Sequence, residues 1–153
     1  MKTIIQKLKL KFKKFETFEN LEEHKWFMPQ LNRHSAEEFL KDKQIGVFII
    51  RESESIQQAL VLSVKVPTYI NSSQFCHYVI MQSKNGVWVR GIEKKIFKNL
   101  DQFITFCSNS RDIIPVKLDV DFYILENKTV YNRSNSLNSV SSNSSNFSDL
   151  SDL

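Results

Sequence analysis

The stretch Gly46–Ser55, GVFIIRESES, carries four consecutive apolar residues directly into an arginine and a run of alternating acids and serines. Successive side chains of a strand point to opposite faces, so the four apolar residues divide evenly between the two faces. A strand that is apolar on both faces is typical of the interior of a sheet covered on both sides. Arg51 falls on the same face as Val47 and Ile49, and we predict that it leaves the end of this strand beside a covering helix.

Three further segments, 58–66, 74–82 and 87–90, are rich in apolar, β-branched and aromatic residues and predict three more strands. The sequence SKNG at 83–86 is a strong hairpin signal, because Asn-Gly suits the backbone twist of a tight β-turn. We therefore expect the last two of these strands to pair antiparallel. The later segment IIPVKL, 113–118, predicts either a short final strand or an extended segment.

Two amphipathic helices are predicted, one before and one after the strands. Ser35 and Glu38 have the spacing of a capping box, which predicts that the first helix begins at Ser35. The second helix is predicted by apolar residues at i, i+3, i+4 and i+7, namely Leu100, Phe103, Ile104 and Cys107. The order of helix, strands and helix predicts an α+β fold with a central antiparallel β-sheet flanked by two α-helices.

The two ends of the chain differ from its middle in composition. Residues 1–20 contain six lysines and two acids, so this basic amphipathic arm accounts for the whole formal charge of +4. We weigh a helix or arm packed on the domain against a short strand and against a helix that binds a membrane surface or a partner. Residues 132–153 contain 14 Ser or Asn among 22, which predicts a disordered tail. Between these ends we predict a folded domain at 21–120 and a C-terminal extension at 121–131.

Signatures of catalysis are missing from the sequence. It has no glycine-rich phosphate loop and no GxSxG, and its two cysteines, Cys76 and Cys107, form no CxxC. His24, His34 and His77 show no metal-ligand spacing. We therefore expect no enzyme, no catalytic residue, no cofactor and no metal site. Both thiols are expected to be buried and inert in a cytoplasmic protein.

Arg51 needs either a counter-charge or a route to solvent. One reading is that it reaches outward or pairs with Glu52 or Glu54, as arginines commonly do. The other reading starts from the short polar loop that follows the strand. Such a loop can aim backbone N–H groups and the hydroxyls of Ser53 and Ser55 at one point, which makes a site for a tetrahedral anion.

Two other side chains are predicted to reach the same point. Arg33 lies near the start of the first helix and approaches the loop from the side. His77 on the predicted third strand is either an ordinary histidine of a sheet or the wall of a pocket of aromatic size. These residues by themselves therefore predict an anion site, but they do not determine which anion it binds.

Motifs along the chain resemble those of a Src homology 2 domain from about Trp26 to Leu118. They follow one another at compatible spacing: WF at 26–27, GVFIIRESES at 46–55, HYVI at 77–80 and FKNLDQFITFCS at 97–108. The resemblance implies phosphotyrosine binding, with a bidentate contact between Arg51 and the phosphate. It implies that the backbone from Glu52 onward and the hydroxyls of Ser53 and Ser55 complete the phosphate cradle.

The resemblance also implies roles outside the loop. Arg33 would flank the phenol ring and the phosphate, and His77 would support the ring. Tyr78 would separate the phosphotyrosine pocket from the residues that follow it in the peptide, where Ile92 and Ile114 are expected to set the downstream preference. The sequence departs from the family where Val79 replaces a frequent basic residue, where Pro29 replaces a frequent glycine, and in the charged loop 91–95.

From this resemblance we expect a non-catalytic, monomeric phosphotyrosine-peptide-binding module whose partners are tyrosine-phosphorylated proteins. Its expected role is that of an adaptor or a competitor in tyrosine-kinase signalling, or of an effector in the cytosol of a host cell. The alternative is that residues 1–20 bind an anionic membrane surface or nucleic acid, although no nucleic acid is expected from the balanced charge of the rest. A further hypothesis is that phosphorylated Tyr131 occupies the pocket of its own or a neighbouring molecule.

Overall fold

The computed structural model describes residues 20–126 of the chain. The predictions for the basic arm and the Ser/Asn-rich tail, and the hypothesis on Tyr131, therefore concern residues outside the described range. The sheet has the strand order β1-β2-β3-β4, with β1 at Phe48–Glu52, β2 at Leu60–Lys65, β3 at Phe75–Ser83 and β4 at Gly86–Val89.

Two helices flank the sheet: α1 at Arg33–Leu40 and α2 at Leu100–Asn109. A short 3-10 helix precedes them at Leu21–Glu23. All neighbouring strands pair antiparallel, so the predicted α+β fold with a central antiparallel sheet is confirmed. Residues 121–126 are helical and belong to a separate unit that begins at Asp121.

The register of the strands brings the polar groups of the candidate site to one face of the sheet. Ile49 pairs with Ser63, and Ser63 pairs with His77. Residues paired across antiparallel strands share a face, and Arg51 shares it with Ile49 by alternation. Glu37 of α1 bonds to His77, which places α1 over this face as predicted for the helix beside Arg51.

Burial distinguishes β3 from its neighbours. The four apolar residues 47–50 are each 0% exposed, as a strand covered on both faces requires, and β2 is buried throughout. β3 lies inside the strand order, yet only Ile80 of this strand is buried. Accessible surface therefore remains on both faces of β3, at His77 on the α1 face and at Tyr78 on the opposite face.

The first helix begins two residues earlier than predicted. Asn32 is its N-cap, and the side-chain oxygen of Asn32 accepts a hydrogen bond from the backbone N–H of Ser35 at 2.8 Å. Asparagine caps a helix as well as serine does, so the prediction of a start at Ser35 with a capping box to Glu38 is wrong. Arg33 is consequently the first residue of α1, and its position is fixed by the cap.

The segments after β3 show one confirmed prediction and one alternative that fails. The turn at 83–86 joins β3 to β4, with Ser83 paired to Gly86. Gly86 has the positive φ of this turn, 132°, and a Cβ there would collide with the carbonyl oxygen of Phe97. The segment 113–118 adds no fifth strand to the sheet and instead packs as irregular chain, with Leu118 N–H donating to the Cys107 carbonyl at 3.0 Å.

Candidate functional site

The Arg51 side chain is only 5% exposed, although it carries a charge. Its Nε–H donates to Ser63 Oγ at 3.2 Å, and its Nη1 reaches Glu54 Oε2 at 3.5 Å. Nη2 has no hydrogen-bond partner anywhere in the range 20–126. No fully buried polar side-chain atom in that range lacks a partner, so Nη2 keeps some accessible surface. Within residues 20–126, the guanidinium therefore keeps one donor group without an acceptor.

The charge on Arg51 persists in spite of burial. Burial lowers the pKa of Arg51 below its ordinary value, while the nearby carboxylate of Glu54 acts to raise it. An arginine remains protonated at neutral pH in either case. A buried cation that has a free donor among residues 20–126, and whose carboxylate partner there is the largely exposed Glu54, favours an additional anion at this position.

Behind Arg51, a chain of hydrogen bonds runs across the sheet to α1. Ser63 Oγ lies 2.8 Å from His77 Nδ1, and His77 Nε2 lies 2.9 Å from Glu37 Oε1. The same carboxylate oxygen accepts from Arg33 Nε at 3.2 Å. The side chains of Ser63, His77 and Glu37 therefore connect Arg51 to Arg33. The sequence predicted a role for both arginines and for His77, but not for Ser63 or Glu37.

The protonation states along this chain follow from burial and from neighbouring charge. Burial lowers the pKa of His77 below its ordinary 6.5, and the positive charges of Arg33 and Arg51 add to this effect against the pull of Glu37. Burial acts to raise the pKa of Glu37, but the hydrogen bonds from His77 and Arg33 outweigh it and lower the pKa overall. The site at neutral pH therefore holds a neutral imidazole and an ionised carboxylate.

The loop after β1 follows Arg51 almost directly in the chain, but its residues differ in what they contact. Ser53 is buried, and its Oγ accepts from Ile56 N–H at 3.1 Å, which bends the loop. Glu54 Oε2 accepts from the backbone N–H of Arg33 at 3.3 Å in addition to its contact with Arg51. Ser55 is exposed, and within the described range no hydrogen bond joins either serine to the guanidinium.

Glu52 differs from the other loop residues because it still belongs to β1. It follows Arg51 directly, so its side chain points to the opposite face of the sheet. Its side chain is thus separated from the guanidinium by the strand itself. Glu52 can contribute to an anion site only through its backbone.

The three residues expected to set the preference for peptide residues after the phosphotyrosine differ in how far they are exposed to solvent. Tyr78 is half-buried on the face opposite His77, and burial raises the pKa of its hydroxyl. Ile92 is half-buried in the loop after β4, where its N–H donates to the Val89 carbonyl at 2.9 Å. Ile114 is 0% exposed, so any influence it has on a bound peptide acts through the packing of segment 113–118.

Sequence reasoning missed Ser63 and Glu37, although each left a signal. Ser63 interrupts the apolar run LVLSVK, and it is 0% exposed, so its hydroxyl needed an internal partner. Glu37 lies four residues after Arg33, which is the spacing of an ion pair on one helix face. Neither signal identifies His77 as the group between them, because that contact depends on how α1 crosses β3.

The two cysteines have different environments. Burial raises the pKa of Cys107 to about 12, so this thiol stays protonated and inert as expected. Cys76 is half-buried on β3, and the expectation that it is buried is wrong. Across residues 20–126, no cluster of three or more His, Cys, Asp or Glu side chains is arranged to hold a metal ion. Over the same range, no helix has the length and apolar character needed to traverse a lipid bilayer.

Known proteins resemble this chain in both sequence and fold. The family model described as the SH2 domain matches residues 26–106. The EGFR adapter protein of Drosophila melanogaster is 30% identical over 93 residues, which cover 61% of this chain and 21% of that protein. Tensin-4 of Homo sapiens is 30% identical over 106 residues, which cover 62% of this chain and 15% of that protein.

Among solved structures, the SH2 domain of a CRK/CRKL homologue from Monosiga brevicollis has a TM-score of 0.53 and 25% identity to this chain. The match covers 63% of this chain and 84% of that one. The chain thus spans about a fifth or less of the two curated relatives, and it shares with them a single segment.

The lowered pKa of His77 predicts a pH-dependent stability. The unfolded chain takes up a proton near the ordinary value of 6.5, whereas folded His77 resists protonation until a lower pH. Stabilisation from the neutral imidazole is therefore complete above about pH 6.5 and is lost as the pH falls toward the folded pKa. Urea denaturation between about pH 7.5 and about pH 5.5 should show a smaller loss of unfolding free energy for His77→Gln than for the wild type. His34→Gln, at an exposed position of α1, is the control, and equal slopes for wild type and His77→Gln would show the assignment to be wrong.

Proposed function

The chain belongs to the SH2 domain family, and on that premise we propose that it binds tyrosine-phosphorylated peptides through the pocket around Arg51. The observation that carries the proposal is the buried guanidinium whose Nη2 has no hydrogen-bond partner within residues 20–126. A phosphate group carries between one and two negative charges at neutral pH and offers three acceptor oxygens. A phosphate group therefore supplies the negative charge and the acceptor oxygen that Arg51 Nη2 does not find among residues 20–126.

The donors around the pocket suit a phosphate in number and direction. The terminal nitrogens of a guanidinium form a fork that matches two oxygens of one phosphate. The Arg33 side chain is 69% exposed at the first turn of α1, so it can turn toward the ring or the phosphate of a ligand. The hydroxyl of Ser55 and the backbone N–H groups of Glu54 and Ser55 are the remaining donors that we assign to the phosphate cradle, together with the hydroxyl of Ser53, because the N–H groups of Ser53 and Ile56 already donate within the domain.

The depth of Arg51 supports selectivity for phosphotyrosine. A side chain that is 5% exposed is reached only by a phosphate held away from the peptide backbone. The phenol ring of phosphotyrosine spans such a distance, whereas the single methylene of phosphoserine does not. The half-buried wall at His77 and the neighbouring Arg33 offer contacts to the ring face.

Glu54 is the internal competitor that a phosphate must displace. Its carboxylate already lies near Arg51 Nη1 and the backbone N–H of Arg33, which are two donors an entering anion would use. The Glu54 side chain is 61% exposed, so turning it into solvent costs little. Binding then exchanges a weak, partly screened ion pair for a ligand that carries more negative charge and has more acceptor oxygens.

We propose a non-catalytic role in tyrosine-kinase signalling. The matched family is a binding module without catalysis, and the pocket offers an anion site rather than an activated nucleophile. A chain of this kind serves as an adaptor that links a phosphotyrosine to another partner, or as a competitor that masks the phosphotyrosine, in the cytoplasm of its own cell or of a host. Tyr78 and Ile92 would contact the peptide residues that follow the phosphotyrosine.

Arg51→Lys should abolish measurable binding to phosphotyrosine peptides while the domain stays folded. Lysine keeps the charge but loses the bidentate fork and the Nε–H that bonds Ser63. We expect an affinity loss of at least about 30-fold, since disrupting a desolvated charge pair costs on the order of 2–5 kcal/mol. Isothermal titration calorimetry with a phosphotyrosine peptide measures the loss, and urea denaturation checks the fold. Arg111→Lys, at an exposed position, is the matched control, and retention of wild-type affinity by Arg51→Lys would refute the proposal.

Glu54→Gln should tighten phosphopeptide binding by about two- to fivefold at low salt, because it removes the competing charge and keeps the shape of the side chain. The gain should shrink as the salt concentration rises, since the Glu54 carboxylate is largely exposed. Fluorescence anisotropy at two salt concentrations measures both effects. Glu38→Gln removes an exposed carboxylate of α1 that makes no contact with Arg51, and it should change little. Weaker binding by Glu54→Gln would show that Glu54 assists the phosphate site and does not compete for it.

A further inference from the structure

Three side chains behind Arg51, namely Ser63, His77 and Glu37, form a connected set that an entering phosphate does not need to touch. We call them the Ser63–His77–Glu37 chain. Their contacts are 2.8 Å from Ser63 to His77 and 2.9 Å from His77 to Glu37, both shorter than any contact Arg51 makes with Glu54. The chain ends on the Nε of Arg51 at one side and on the Nε of Arg33 at the other.

The direction of each hydrogen bond in this chain is fixed by the atoms available. Arg51 Nε–H can only donate, so Ser63 Oγ accepts. Ser63 is 0% exposed, and its hydroxyl contacts only Arg51 and His77 within the described part of the chain, so its proton must go to His77 Nδ1. Nδ1 is therefore the unprotonated nitrogen of a neutral imidazole. His77 then carries its proton on Nε2 and donates it to Glu37 Oε1.

We propose that Glu37 is a positioning residue of the phosphate site and acts through His77 and Ser63 on the orientation of Arg51; this rests on the proposed function. By accepting from Nε2–H, the side chain at 37 holds the imidazole in the tautomer and the position that Ser63 needs. Ser63 then keeps its oxygen turned to Arg51 Nε. With Nε held against the sheet, the terminal nitrogens of the guanidinium face the pocket.

Glu37 makes this proposal testable because its charge and its hydrogen bond have opposite effects. A carboxylate beside an anion pocket repels the phosphate, so an account based on charge alone predicts tighter binding whenever Glu37 is neutralised. The positioning account predicts that the acceptor oxygen matters as well. Gln and Met are both neutral, unbranched and compatible with a helix, and only Gln retains an oxygen that accepts from His77 Nε2–H.

The first experiment therefore compares Glu37→Gln with Glu37→Met by calorimetry with one phosphotyrosine peptide. We expect Glu37→Met to bind about three- to tenfold more weakly than Glu37→Gln, the equivalent of one typical hydrogen bond. Glu38→Gln and Glu38→Met are the matched controls on α1, and they should bind equally. If the two Glu37 variants bind alike, Glu37 acts by charge alone and the proposal is overturned. Urea denaturation identifies a variant that has lost its fold, and Glu37→Ala then replaces the Met variant in the comparison.

A second experiment separates the route through His77 from the route through Arg33, which also bonds Glu37. The Gln and Met variants are compared again in an Arg33→Ala background. If the difference in affinity persists, Glu37 acts through His77, as proposed. If the difference vanishes, Glu37 acts by orienting Arg33, and the route through His77 and Ser63 is refuted.

The third experiment reads the tautomer directly in the full chain without peptide, so it does not depend on the proposed function. Long-range proton–nitrogen NMR of the imidazoles should show His77 with a protonated Nε2 and an unprotonated Nδ1, and Glu37→Met should shift His77 toward a mixture of tautomers. A protonated Nδ1 in the wild type would overturn the proposal. If the wild type shows the expected tautomer but binds no phosphotyrosine peptide, the proposed function fails, and Glu37 is left with a structural role only. Failure of the positioning proposal alone appears as normal wild-type binding with equal affinities for the Gln and Met variants.

Discussion

The hydrogen bond from Arg51 Nε to Ser63 Oγ is the contact on which the candidate site depends. It exists because Ile49 pairs with Ser63, which places the serine on the same face as Arg51 and within its reach. A shift of one residue in this register would move Arg51 to the other face of the sheet, away from α1. The apolar residues of β1 therefore do more than fill the core, since their packing fixes where a buried cation emerges.

The pocket is a balance of charges rather than a simple positive patch. Two arginines face two carboxylates, and each carboxylate has a different position relative to them. Glu37 is 29% exposed and contacts a neutral histidine, whereas Glu54 is 61% exposed and contacts Arg51 itself. A ligand that displaces only the exposed Glu54 carboxylate gains the full field of Arg51 without disturbing the groups that hold it. This arrangement suits reversible binding, because the peptide-free pocket does not leave its cation wholly without a partner.

The sequence predicted the fold well where periodicity was strong and less well where competing local signals existed. The apolar stretch before Arg51 and the stripe from Leu100 to Cys107 were both located correctly, since burial follows directly from their period. The predicted start of α1 is wrong, because Asn32 and Ser35 are both good caps and it is Asn32 that caps the helix. The partners of Arg51 across the sheet were not predictable, because they depend on register and on the crossing of α1 over β3. Side-chain contacts of that kind arise from the whole fold and not from any single segment.

The most direct test of the central claim is to observe the Arg51 Nε–H resonance by proton–nitrogen NMR while the full chain is titrated with a phosphotyrosine peptide and, separately, with its phosphoserine counterpart. The account predicts a saturable shift of this resonance, together with the backbone amides of residues 52–55, for the phosphotyrosine peptide alone. If the phosphotyrosine peptide leaves the Arg51 resonance unmoved, or if the phosphoserine peptide moves it equally, the account is contradicted.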